Sequence, residues 1–528
     1  MARDLAIRPA YVTTSQGQLR VWQVGEEPPC VVLPGLINGA EVIASRLAAS
    51  NPPVNAVVVE LPGLGGSAGV WPSGISAVAG AVAAALQDLG LTQAPVLALD
   101  LCLPVAAAIS GPGRPEPVGL HAAAARLWAA HRRVPPLSEP MPDGTHLTAL
   151  FAFLRNGHVL DPVDWSCARS QGDALPDAAA LNATLVAAAI RPGAFAALWQ
   201  ACMGAMAGVP ARSCAENWND AIRKLGAAAT PAQPAATFVP PKGVRRDYTA
   251  TPGGRMHLRR AGPAGHRPVI ALHSAPGSSA PLAGLIAALA TDRDVVAPDY
   301  LGNGESDKPP GPVAITGLAQ DVVALANALD LPQFDLWGTH TGALIALEAA
   351  LIAPDRVGCA ILEGPVLLPP SLNRDILAHY FPPLEPHPWG LHLQQAWNMR
   401  RDMFLFWPWY RAELAAARPL GVPDPAFLHD WTIGLLQSGA SYHRSYRAAF
   451  EYDTPARLPL LGCRSLVCAG QADMLVGSLA IARTMNLPRV TVQETPATVW
   501  YPKQPPDAFA ATIKLYRTFL DHDEGATA

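Results

Sequence analysis

The sequence predicts an α/β protein built as two similar domains, each with a mostly parallel sheet. Three observations predict it. Short apolar strands alternate with apolar-periodic helices such as Leu318 to Leu329 and Ala343 to Ile352, the pattern of a parallel sheet covered by helices. Blocks of sequence recur at a nearly constant spacing. A chain of 528 residues also exceeds one compact core, and domains of roughly 100 to 250 residues make two the natural division.

The recurrence orders the chain. Y-V-T-T-S-Q-G-Q-L-R from Tyr11 is followed, 237 residues on, by Y-T-A-T-P-G-G-R-M-H from Tyr248. V-V-L-P-G at Val31 to Gly35 parallels I-A-L-H-S at Ile270 to Ser274, and E-L-P-G-L-G-G-S at Glu60 parallels D-Y-L-G-N-G-E-S at Asp299. D-L-C-L-P at Asp100 to Pro104 parallels G-T-H-T-G at Gly338 to Gly342, which sets Cys102 against His340. Last, G-T-H-L with Arg155 and Pro162 parallels G-L-H-L with Arg401 and Pro408. Ordered matches at one spacing are the mark of an internal repeat. The expected domains are residues 1–225 and 243–528, with 226–242, rich in Ala, Pro and Thr, as a linker. The first copy supplies no obvious late strands. It is expected to pack against the second much as two subunits pack in a homodimer.

Composition narrows the partners. Half the residues are hydrophobic and 15% charged, so the chain is globular. A net charge of −4 spread along the sequence offers no basic stripe for nucleic acid. The most apolar run, Val96 to Ile109, is broken by Asp100 and Pro104, short of a membrane span. Eight scattered cysteines suit free thiols, and the opening residues lack an apolar leader, so a cytoplasmic location is expected. Neither a dinucleotide loop nor a metal-ligand cluster stands out, and no cofactor or metal is expected.

In the second copy, the strand Val269 to Leu272 feeds H-S-A-P-G, and Phe334 to Trp337 feeds the tight turn G-T-H-T-G and an apolar helix. This resembles the α/β-hydrolase superfamily, whose signature is a strand, a strained G-x-S-x-G turn and a helix. The resemblance covers nearly all of the second copy and, more weakly, the first 200 or so residues. It implies two α/β-hydrolase-like domains, the N-terminal one degenerate. Gly338 and Gly342 meet the steric need of the turn, but His340 stands where the family carries serine. An imidazole cannot follow the hydroxyl route, although histidine serves elsewhere as nucleophile or base.

The resemblance further implies an acid after a late strand, a place that Asp473 in G-Q-A-D takes, and a histidine near the last helix, where Val499 stands instead. The Ser-His-Asp triad is therefore absent. A histidine on the turn reaches farther than a serine, so His340 is expected to meet Asp473 directly and form a base-acid dyad. The backbone N–H groups of Ala275 and Thr341 would match the family's oxyanion hole. Glu363, at another strand end, is a second candidate acid. Cys102 is a candidate thiol of the first copy, without an evident partner.

In the family, an insert here forms a helical cap, expected over residues 366–453. Its aromatic-dense part, Trp397, Phe404 and Trp407 among others, would bind an apolar or aromatic substrate, with His392, Arg401 or His443 holding a polar group. The expected function is hydrolysis of an ester-like or other activated carbonyl bond in a small organic molecule. A lyase or isomerase on the same fold, and a catalytically inactive binding or scaffolding protein, remain open alternatives.

Overall fold

The computed structural model describes residues 5–26, 30–111, 114–136, 139–169, 174–209, 214–226 and 243–522. Nearly all of the expected linker lies outside the described residues. The chain divides into two compact units, the first comprising Met1–Pro241 with Pro386–Gln394, the second Lys242–Glu385 with Gln395–Ala528. The division falls near residue 242. The segment Pro386–Gln394 departs from it, because His392 bonds Asn182, and the Gln394 side chain donates to the Asp143 carbonyl.

The first unit's strands are β1 (Ile7–Thr14), β2 (Gly17–Val24), β3 (Cys30–Leu33), β4 (Ala56–Val59), β5 (Val96–Leu99), β6 (Val118–Leu120) and β7 (Cys214–Ala215). They form one sheet in the order β1-β2-β4-β3-β5-β6-β7. The second unit has β8 (Arg245–Thr251), β9 (Gly254–Ala261), β10 (His266–Leu272), β11 (Arg293–Pro298), β12 (Phe334–Thr339), β13 (Val357–Glu363), β14 (Arg464–Gly470) and β15 (Val490–Thr495). Their order is β8-β9-β11-β10-β12-β13-β14-β15. The orders coincide strand for strand until the first sheet stops one strand early. In both, an antiparallel hairpin joins the sheet antiparallel and every other pairing is parallel. The register repeats too, with Leu33 opposite Ala98 and Leu272 opposite Gly338.

Central strands such as Val269–Leu272 are apolar on both faces because helices cover both sides of a parallel sheet. The Thr341–Ile352 helix is apolar almost all round and is buried along nearly its whole length. Its one acid, Glu348, is held by Arg457 and the Tyr452 hydroxyl. Helices from Pro370 to Arg457 fill the gap between β13 and β14, where the cap was expected. A similar helical stretch from Ala122 to Ala205 separates β6 from β7. Among the described residues no single helix is long and apolar enough to cross a membrane.

Side-chain bonds repeat between the units as faithfully as the strands. In the first, Arg20 forks onto Glu60 with two bonds of 2.8 Å, the Gly66 amide donates to Glu60, and the Arg20 amide donates to Ser67 Oγ. In the second, His257 Nδ1 lies 2.9 Å from Asp299, the Glu305 amide donates to Asp299, and the His257 amide donates to Ser306 Oγ. Each carboxylate ties the second strand of the hairpin to the glycine-rich loop after the fourth. Asp299 also accepts the amide and hydroxyl of Ser279, which fixes the loop after β10.

These buried pairs generate a stability prediction. Glu60→Gln removes the carboxylate onto which the Arg20 guanidinium forks, and breaking a buried pair of this kind costs about 3–5 kcal/mol. The urea midpoint of unfolding, followed by circular dichroism, should fall accordingly; an unchanged midpoint contradicts the assignment.

Candidate active site

The second unit's candidate site is built where β12 turns into the Thr341–Ile352 helix. His340 occupies the turn with φ of 50° and ψ of −113°, a strained setting for a residue with a side chain. The turn is sharp enough that a Cβ on Gly338 would sit 2.2 Å from the Gly342 carbonyl, and one on Gly342 would sit 2.2 Å from the Leu272 carbonyl. Both positions therefore require glycine.

From that turn the imidazole reaches across β13 to the loop after β14. Its Nε2 lies 2.8 Å from Asp473 Oδ1 and 3.0 Å from Oδ2. Asp473 is buried and also accepts the Leu475 amide at 2.8 Å. Because a carboxylate only accepts, this contact sets Nε2 as the N–H and leaves the lone pair on Nδ1. Gly364 leaves room for the pair, since a Cβ there would lie 2.7 Å from His340 Cδ2 and 3.0 Å from Asp473 Oδ2. The Trp500 ring meets the imidazole edge to face, with centroids 5.1 Å apart. It stands beside Val499, in the stretch where the resemblance called for a histidine.

Glu363, at the end of β13, lies behind the pair. Burial, reinforced by the nearby Asp473 charge, pushes its carboxyl up to about 8. It accepts the Tyr516 hydroxyl at 3.1 Å. A carboxyl with that value is largely protonated at neutral pH. Among the described residues, the amides of Ala275 and Thr341 have no protein acceptor.

Residues 267–407 match the family model described as alpha/beta hydrolase fold. A "Proline iminopeptidase" of Heyndrickxia coagulans is 34% identical over 127 residues, 23% of this chain and 44% of that protein. A "Putative carbamate hydrolase RutD" of Klebsiella pneumoniae is 29% identical over 192 residues, 36% of this chain and 67% of that protein. The aligned stretch thus spans less than half of the peptidase. Among solved structures, an epoxide hydrolase of Mycobacterium thermoresistibile aligns with 52% of this chain and 98% of its own, at 22% identity and a TM-score of 0.40. The second unit has the α/β-hydrolase fold.

The first unit carries the same α/β strand plan with a different turn. In the shared register the residue directly after the central strand is Asp100, at φ of 40°, as His340 directly follows β12. The expectation that Cys102 stands there is corrected: Cys102 corresponds to Gly342, is buried, and has its thiol pushed well up by burial. Asp100 Oδ1 accepts the amides of Leu36, at 2.9 Å, and Leu101. By register these amides correspond to those of Ala275 and Thr341. In the first unit, then, a carboxylate fills the amide pair that an α/β-hydrolase offers to an oxyanion.

The expected pocket residues divide. Trp397 and Phe404 are buried, and Phe404 packs on Tyr501, which packs on Trp500. Trp407 leans on Tyr380 and His443 on its neighbour Tyr442. Arg401 turns to Asp402 at 2.9 Å with a third of its side chain exposed, so it points away from the aromatic face. His392 is corrected: it belongs to the first unit, bonding Asn182 at 3.0 Å and accepting the His387 amide at 3.1 Å. His146 accepts the Met141 amide in the same way, which marks both histidines as helix-start fixtures. The sequence reading missed Trp500 and Arg400. Arg400 lies three residues after Trp397 and four before Phe404, on their buried helix face, while Arg401 is one step of about 100° round. That periodicity was available in the sequence.

Glu363 yields a pH prediction. Its folded value of about 8 exceeds the ordinary 4.5, so across that interval the folded chain keeps a proton that the unfolded chain loses. The contribution of this group to stability therefore falls as pH rises from 4.5 to about 8. Glu363→Gln should flatten that slope in denaturant melts at several pH values; an unaltered slope contradicts a protonated Glu363.

Proposed function

We propose that the chain is a hydrolase of an ester-like or other activated carbonyl bond in a small apolar or aromatic molecule, working at His340 of the second unit. The observation that carries this reading is the 2.8 Å contact between His340 Nε2 and Asp473 on a strained strand-to-helix turn. The names of the similar proteins, a peptidase and a carbamate hydrolase, favour hydrolysis as the reaction class.

In this reading Asp473 holds the Nε2–H and His340 Nδ1 takes a proton from water. The water oxygen adds to the carbonyl carbon, and the amides of Ala275 and Thr341 receive the oxyanion. As the carbonyl re-forms, the bond to the leaving group breaks and the imidazolium returns its proton to that group. No serine takes part. The first unit, arising by tandem duplication, has Asp100 in its amide pair and no catalytic role.

The experiment is kinetic, using p-nitrophenyl acetate and butyrate. His340→Ala and Asp473→Asn should each lower kcat about a hundredfold or more, and the double variant should be little worse than either because the two act as a unit. Cys102→Ala should be neutral. Undiminished turnover in His340→Ala, or stoichiometric inactivation by a serine-directed phosphonate, would show that another residue carries the reaction.

A further inference from the structure

Among the described residues two arginines are wholly buried, and they differ in one respect. Arg293 is held by two carboxylates, Asp292 and Asp521. Arg400 has none. Its Nη2 donates to the Pro276 carbonyl at 2.7 Å, its Nη1 has only the Met403 sulfur at 3.8 Å, and its Nε is buried without a partner. The guanidinium lies over the Trp431 ring, 4.2 Å from the centroid.

A guanidinium brings five N–H donors and a charge that stays in proteins. One carbonyl and one ring face leave most of that capacity unused, and an uncompensated buried charge is among the costliest features a fold can carry. Burial pulls its value down to about 10, still cationic at neutral pH. Tyr380 and Tyr446 offer no counter-charge, because burial pushes both phenols up and keeps them neutral, and their hydroxyls are engaged with each other at 3.1 Å.

The position of this charge is informative. Pro276 directly follows Ala275, whose amide belongs to the pair reserved for the oxyanion, so Arg400 is bonded to the loop that receives substrate. On its other side Trp431 packs on Phe404, Phe404 on Tyr501, and Tyr501 on Trp500 against His340. The guanidinium thus sits at one end of an aromatic wall whose other end is the reacting imidazole.

We propose that Arg400 is the anchor for a carboxylate on the substrate, so that the molecule hydrolysed at His340 is an anionic, apolar-bodied acid. This rests on the reading of His340 as the reaction centre. A fork of two parallel N–H groups fits a carboxylate in bidentate fashion. With a single buried cation, a monoanion is matched better than a phosphate dianion.

The test is isothermal titration of the full chain with benzoate, benzamide and inorganic phosphate. Benzoate should bind and benzamide, its neutral counterpart of equal shape, should bind at least about tenfold more weakly; phosphate should be the weaker anion. Arg400→Met should lose benzoate affinity by a similar factor, Arg400→Lys should keep part of it, and His340→Ala should keep all of it. Without ligand, Arg400→Met should melt no lower than the wild type, since it removes an unpaired buried charge. Equal binding of benzoate and benzamide by the wild type overturns the proposal even if no variant folds. So does preference for phosphate, or unchanged benzoate affinity in folded Arg400→Met. Benzoate binding without any ester turnover would uphold Arg400 and fail the hydrolase reading, whereas turnover of neutral esters without benzoate binding would do the reverse.

Discussion

The bond between His340 and Asp473 organises the second unit's centre. It joins the end of β12 to the loop after β14, and it explains the features around it. Gly364 lies where any side chain would enter the pair. Trp500 closes over the ring in the stretch where the resemblance called for a histidine, and Glu363 behind it is kept protonated by burial and by the neighbouring acid.

The two units set this centre in relief. Their strand order, register and loop-anchoring bonds repeat, down to the Arg20–Glu60 fork standing where His257–Asp299 stands. What differs is the residue at the turn. Asp100 is drawn to its own unit's amides, and burial raises its carboxyl to about 6. His340 instead points at an acid and leaves the corresponding amides open. One fold thus places the same two donors in both halves, and a single side chain decides whether they are occupied from within.

The fold was legible in the sequence because repetition and parallel-strand patterning are long-range signals carried by many residues. The pairing of His340 with Asp473 was legible for a different reason: the turn and the late acid are fixed by the strand plan, so a longer side chain at the first has little else to meet. Fine register was not legible. Cys102 was set at the turn although it lies two positions past it, because D-L-C-L-P carries no glycine to mark the bend and only the positive φ of Asp100 does. His392 looked like a pocket residue, but its true partner, Asn182, lies 210 positions away. Arg400 escaped because its significance is a missing counter-charge, which becomes visible only when every neighbour is in place.

Chemical rescue tests the central claim most directly. Glycine suits the positive φ at position 340 without strain, so His340→Gly removes the imidazole while keeping the turn. Added imidazole should then restore ester hydrolysis in a saturable manner, and the restored rate should be lost when Asp473→Asn is introduced. If His340→Gly turns over as fast as the wild type without imidazole, the reaction does not run through this residue and the account fails.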